Sequence, residues 1–191
     1  NGFSSTFNYA MDRGAQPLGG DGMAFVIQNI SPFSAGFFRS GLGYTGISNS
    51  IAVEFDTIQN QSDLRDPNAG HIGINSRGKL SNTADHDLST LAITGAFPNQ
   101  ALPLNDGNSR YVRVDYEPGF MTVYWDDATR PTTGAEVDLS QLLNVPEGRA
   151  YVGFTAATGV GNLGKQDADI FNWSFQSLNR AKPETSLLNV N

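Results

Sequence analysis

The sequence predicts an all-β fold, a single antiparallel β-sandwich, on three observations. Seven stretches alternate with period two, clusters of Gly, Pro, Asn and Asp separate them, and no segment sustains three full turns of apolar 3.6 period. In chain order the strands fall at residues 4–10, 50–57, 110–117, 120–126, 135–139, 150–155 and 168–176. The first is closed by Gln16-Pro17-Leu18-Gly19-Gly20-Asp21-Gly22, and later ones by Asn105-Asp106-Gly107-Asn108 and Glu117-Pro118-Gly119, all turn-forming residue types. Two short helical candidates lie at 84–91 and 139–143. The expected organisation is one domain over 1–180, with 181–191 as a tail, a linker or a late edge strand.

Composition narrows the function. The chain has 191 residues, 21 of them glycine, 10% aromatic and only 16% charged, a balance common in β-proteins rich in tight turns. Lys and Arg number 12 against 19 Asp and Glu, a net charge of −7 with the basic residues scattered, which argues against a nucleic-acid partner. Cysteine is absent, so disulfides, thiolate metal sites and cysteine catalysis are excluded. The longest apolar run, Met23 to Ile27, is about five residues, far short of the roughly 20 that cross a bilayer, so membrane insertion is excluded.

The most informative stretch is Val53-Glu54-Phe55-Asp56-Thr57-Ile58-Gln59-Asn60, followed by Asp63, Asp66 and His71. On a strand, Glu54, Asp56 and Ile58 share a face while Phe55 packs on the other. Two carboxylates side by side repel and need a partner. Carboxylates, an amide, main-chain carbonyls and one imidazole suit a hard oxygen-seeking cation beside a transition ion; an exposed strand end with a solvated acidic loop reads equally well from composition.

Other chemistries meet obstacles. A sandwich glycosidase needs a second acid near Glu54-x-Asp56, where Ile58 and Gln59 stand. The loop Gly159-Val160-Gly161-Asn162-Leu163-Gly164-Lys165-Gln166 matches G-x-G-x-x-G, but Ala168 onward reads as a strand, and phosphate binding needs a helix N-terminus there. No G-x-S-x-G elbow occurs, and His86 in Ala84-Asp85-His86-Asp87 reads as an exposed turn histidine.

Taken in order, Phe3-Ser4-Ser5-Thr6-Phe7, Gly20-Asp21-Gly22-Met23-Ala24-Phe25, Gly41-Leu42-Gly43-Tyr44, the segment from Val53 to Ile74, Gly153 to Gly159 and Trp173-Ser174-Phe175 resemble the L-type (legume-like) lectins over residues 3–178. The resemblance implies a concanavalin A-like jelly roll and a non-catalytic, calcium-dependent carbohydrate-binding module. It implies calcium (Ca2+) on Asp56, the Ile58 carbonyl, Asn60 and Asp66, and a transition ion, usually manganese (Mn2+), on Glu54, Asp56, Asp66 and His71. It implies sugar binding by Asp21 after a cis peptide, by the Asn60 amide and by a Gly41 N–H, with Ser40 as the alternative alignment. Gly159, Val160, Gly161 and Asn162 would rim the pocket.

Two departures follow. Ile58 stands where the family commonly has a sugar-stacking aromatic, so Tyr44, Phe97 or another ring substitutes. The family has strands ahead of Phe3, so either these are missing or the tail around Leu187 to Val190 supplies one. Three sequons, at Asn29, Asn60 and Asn172, point to a host without N-glycosylation, hence a bacterial adhesin, secreted or at the cell surface. A glycan hydrolase and a purely structural, calcium-stabilised sandwich are the alternatives.

Overall fold

The computed structural model describes residues 1–14, 19–95, 100–145, 148–159 and 164–178. Ten strands form the predicted sandwich of two five-stranded antiparallel sheets. The first holds β1 (Gly2–Asp12), β6 (Arg110–Glu117), β7 (Gly119–Trp125), β8 (Thr133–Val137) and β10 (Asp167–Leu178), in the order β10-β1-β6-β7-β8. The second holds β2 (Asp21–Gln28), β3 (Ser50–Asp56), β4 (His71–Ser76), β5 (Thr90–Ile93) and β9 (Tyr151–Thr158), in the order β5-β4-β3-β2-β9.

The core lies between the sheets because alternate residues of each strand point inward. Phe7, Tyr9 and Met11 of β1 and Val112 and Val114 of β6 meet Met23 and Phe25 of β2, Val53 and Phe55 of β3, and Ile72 and Ile74 of β4. Aromatic contacts cross it: Phe7 lies 6.1 Å from Phe25, stacked, and 4.8 Å from Phe154, edge-on.

A second, smaller apolar cluster covers the outer face of the second sheet. Ala24, Val26 and Ala52 are buried there with Leu42, Tyr44 and Ala84 from loops. β2, β3 and β4 are therefore buried on both faces, and a strand covered on both sides has no reason to alternate polar with apolar. That is why β2, with Ala24 and Val26 on its outer face, escapes the period-two pattern.

The first helical candidate is split. A single turn, α2 (His86–Ser89), is capped by Asp85 accepting from Asp87 N–H, after which the chain becomes β5. The second is α3 (Leu139–Leu142), capped by Asp138. A further turn, α1 (Gln61–Leu64), occupies the loop after β3. Phe97, Val160, Gly161, Asn162 and the tail 181–191 lie outside the described residues.

Candidate functional site

Strand β3 lies between β2 and β4, and its register sets the site. Asp56 pairs with Gly22 on one side and His71 on the other, while Glu54 pairs with Ala24 and Gly73. Glu54 and Asp56 share the outer face with Ala52, opposite Phe55 in the core, as alternation requires. Gly73 makes room: a Cβ there would stand 2.6 Å from Glu54 Oε1. Past α1, Arg65 adopts a left-handed conformation (φ 64°) that turns the chain back. Asp66 then returns beneath the strand end, where its Oδ2 accepts from Asn60 N–H at 2.5 Å. Glu54, Asp56, Asp66 and His71 are all buried, none more than 2% exposed. The structure thus brings together the acids and imidazole read from the sequence.

Their electrostatics are unfavourable as a set. Burial raises the Asp56 pKa well above the carboxylate range, and the neighbouring charges of Asp66 and Glu54 push the same way. Burial also opposes ionisation of Glu54, but the neighbouring His71, with its charge 3.6 Å away, outweighs it and lowers its pKa. His71 is raised correspondingly: burial opposes its charge, and Glu54 overcomes that.

Among the described residues, Asp21 Oδ2, Glu54 Oε1, Asn60 Oδ1 and Asp66 Oδ1 are buried acceptor oxygens with no hydrogen-bond partner. An orphaned buried oxygen is costly, and a concentration of them at one sheet end fits a cation. Two groups have suitable mutual spacing, Asp56 with Asp66 and His71, and Glu54 with His71 and His86.

His86 corrects the sequence reading, which left it exposed. Its side chain is only 7% exposed, and its Nε2 lies 3.3 Å from Glu54 Oε1 and 3.3 Å from Asp66 Oδ1. Ion pairs from Arg65 to Asp87 (3.2 Å) and Asp85 (3.9 Å) help hold α2 over the site. The available signal was modest: it is one of only two histidines in the chain.

On the β2 side the Gly20–Asp21 peptide is cis, as the resemblance implied. Burial raises the Asp21 pKa to about 6, with Arg39 pulling it down and Asp66 pushing it up. Thr57 braces the turn, its N–H and hydroxyl donating to Asp21 O and its hydroxyl also reaching Gly19 O and Gln166 Oε1. Gly159 N–H donates to Gly20 O and Gly164 O, both at 2.9 Å, so the glycine-rich loop is pinned at its base beside Asp21. Beyond it the chain enters β10, not a helix, and the nucleotide reading falls away.

Three expectations change in detail. Tyr44 is wholly buried and donates to Glu54 Oε2 at 2.6 Å, so it cannot stack on a ligand. Ile58 turns toward the cis peptide: a Cβ on Gly20 would fall 2.1 Å from Ile58 Cδ1. Gly41 N–H is engaged, donating to Phe38 O at 3.3 Å in a 3-10 turn over Arg39–Gly41. Sequence reasoning missed Phe38 and Arg39. They line an open recess of ≈ 660 Å³ with Gly22, Thr158 and Gly159, and Phe38 is 71% exposed.

This fold and site define a β-sandwich lectin domain. The legume lectin domain model matches residues 1–190, and the chain belongs to that family. It is 32% identical over 200 residues to L-type lectin-domain containing receptor kinase IV.2 of Arabidopsis thaliana, covering 97% of this chain and 28% of the kinase. It is 31% identical over 187 residues to a seed lectin of Styphnolobium japonicum, covering 92% of this chain and 56% of that protein. Among solved structures, winged bean acidic lectin complexed with methyl-α-D-galactose superposes with a TM-score of 0.67 at 26% identity, over 91% of this chain and 69% of that one. The chain spans 25–29% of the length of the first receptor kinases it matches. These relatives are plant proteins and give the bacterial-adhesin expectation no support. No helix of the described residues is long and apolar enough to cross a membrane.

Proposed function

We propose that the domain binds glycans in a cation-ordered pocket and performs no catalysis. One observation carries this: orphaned oxygens of Asp21, Glu54, Asn60 and Asp66 gather where β2 begins and β3 ends. In this reading Asp56, the Ile58 carbonyl, Asn60 and Asp66 hold calcium, and Glu54, Asp56, Asp66 and His71 hold a transition ion such as manganese. Bound cations supply the positive charge that lets these acids sit together.

The sugar is handled by this chain's own groups. Asp21 accepts from two hydroxyls and the Asn60 amide donates. A main-chain N–H near Ser40 or Gly41 completes the set, and since Gly41 N–H is already engaged, Ser40 is the better candidate. Gly159 lines the recess. Phe38 offers the apolar platform that Ile58 does not, since its ring is exposed at the recess beside Asp21. The glycoside complex of winged bean acidic lectin supports the substrate class. Kinship with receptor kinases supports a secreted or cell-surface setting.

Calorimetric titration with simple glycosides, before and after EDTA, tests the reading. Saccharide binding lost on chelation and restored by calcium is the expected result; binding indifferent to EDTA rules out the cation's role. A glycan array left blank by the metal-loaded domain rules out lectin activity and leaves a cation-stabilised structural sandwich. Nothing in the site favours hydrolysis, because Glu54 and Asp56 are at most 1% exposed, beneath covering loops.

A further inference from the structure

We infer that His86 is a second imidazole ligand of the inner cation locus, so that this locus selects an imidazole-favouring ion such as Zn2+ over Mn2+. The inference rests on the metal-binding reading above and deepens it.

Hydrogen bonding fixes both imidazoles. His71 Nδ1 faces the Asn68 carbonyl at 3.0 Å, an acceptor only, so in the neutral ring, the form that ligates a metal, Nδ1 carries the proton and Nε2 is a lone pair. His86 Nδ1 lies 2.7 Å from Thr90 Oγ1, whose own proton goes to Asn75 Oδ1 at 3.0 Å, so this Nδ1 also donates and its Nε2 is also bare. The two Nε2 atoms are 3.0 Å apart. Two lone pairs at that separation repel unless a proton or cation lies between them.

Two carboxylate oxygens flank this pair of nitrogens. His86 Nε2 is 3.3 Å from Glu54 Oε1 and from Asp66 Oδ1, and His71 Nε2 is 3.6 Å from Glu54 Oε1. Both oxygens are buried with no hydrogen-bond partner. Donors around an ion at ~2.0–2.2 Å stand roughly 3.0 Å apart in an octahedron and about 3.4 Å apart in a tetrahedron. Glu54 Oε1, His71 Nε2 and His86 Nε2 are separated by 3.0, 3.3 and 3.6 Å, the edges of one face of such a polyhedron. One proton satisfies one pair of these atoms; a divalent ion satisfies all three, with Asp66 Oδ1 beside His86.

A supporting chain orients the ligands together. Asn75 Nδ2 donates to Tyr44 Oη at 3.1 Å and Tyr44 Oη donates to Glu54 Oε2 at 2.6 Å. His86, Thr90, Asn75, Tyr44 and Glu54 are thus linked donor to acceptor, the arrangement that holds metal-binding side chains in place. Two nitrogens among the donors shift preference from manganese and calcium, which suit oxygen, to zinc, copper or nickel.

The experiment uses chelator-stripped protein loaded with one equivalent of Cu2+ as a spectroscopic probe, beside competition dialysis of Zn2+ against Mn2+. Paramagnetic resonance should show superhyperfine splitting from two nitrogens in the wild type and one in His86→Ser. Zn2+ should displace Mn2+ in the wild type, and the His86→Ser change should weaken Zn2+ at least ~10-fold more than Mn2+. His86→Gln gives the same comparison if the serine variant fails to fold, and the wild-type spectrum counts nitrogens by itself. A single-nitrogen wild-type spectrum overturns the inference while leaving a metal site intact. Failure of Cu2+, Zn2+, Mn2+ and Ca2+ all to bind overturns the metal reading with it.

Discussion

The Tyr44 hydroxyl donates to Glu54 Oε2 at 2.6 Å, and neither residue is exposed. A ring that the sequence offered as a sugar platform instead clamps a buried acid from the loop side. Tyr44→Phe should keep the fold, lower stability by about 1–3 kcal/mol for the unpaired acceptor it leaves, and weaken the transition ion ~10–100-fold. Thermal melts and metal titration check this, and an unchanged metal affinity would dismiss the clamp.

Asp21 and Asp56 should separate by function. Asp21→Ala should abolish saccharide binding while preserving metal content, because the proposed division sets Asp21 against the sugar and not the ions. Asp56→Ala should remove metals and sugar together and lower the melting temperature, because Asp56 pairs across β3 with both Gly22 and His71. Elemental analysis beside calorimetry reads both, and identical behaviour of the two variants would refute the division.

The metal-free domain should lose stability as pH rises from about 4 to above 7. Asp21, raised to about 6 from 3.8, and Asp56, also raised, bind protons more tightly folded than unfolded. Acid therefore favours the fold at these groups, and the advantage fades above the unfolded carboxylate value. His71 is raised too, so its contribution is full below 6.5 and is lost as pH climbs through its folded value. Glu54, lowered from 4.5, acts oppositely, and only at the acid end as pH falls through its folded value. A tenfold change in a group's proton affinity on folding is worth up to ~1.4 kcal/mol, and a domain of this size moves about 2–4 °C per kcal/mol. Scanning calorimetry in EDTA should show a falling melting temperature that divalent ions flatten; a curve rising with pH contradicts the charge crowding.

Gly20→Ala should cost about 1–3 kcal/mol through its collision with Ile58, since the added Cβ would lie 2.1 Å from Cδ1 and 2.3 Å from Cγ1. Adding Ile58→Ala should recover part of that loss, giving a coupling of ~0.5–3 kcal/mol in a double-mutant cycle by denaturant unfolding. Strict additivity would mean that the two positions do not press on each other.

Strands with one wet face were legible. The stretches read at 110–117 and 120–126 coincide closely with β6 and β7, because their outward residues are polar or half-exposed. β2 was not legible as a strand, since loops carrying Leu42, Tyr44 and Ala84 bury its outer face, where Ala24 and Val26 are apolar, and so erase the alternation. The acids of β3 were readable because neighbours two apart must share a face. His86 was not, because its place depends on a single helical turn folded back over the sheet and held by Arg65. Phe38 and Arg39 depend likewise on a loop conformation with Arg39 at φ 59°, which no periodicity announces.

Asn60 ties its backbone N–H to Asp66 Oδ2 while its own Oδ1 waits, buried, for a partner. With one residue proposed to serve saccharide and ion alike, thermodynamic reciprocity follows. Whatever factor the ion adds to sugar affinity, the sugar must return to ion affinity. Where free divalent ions are scarce, a dense glycan coat would itself draw them into the domain, and an apparent metal affinity measured without carbohydrate would understate the one that operates on such a surface.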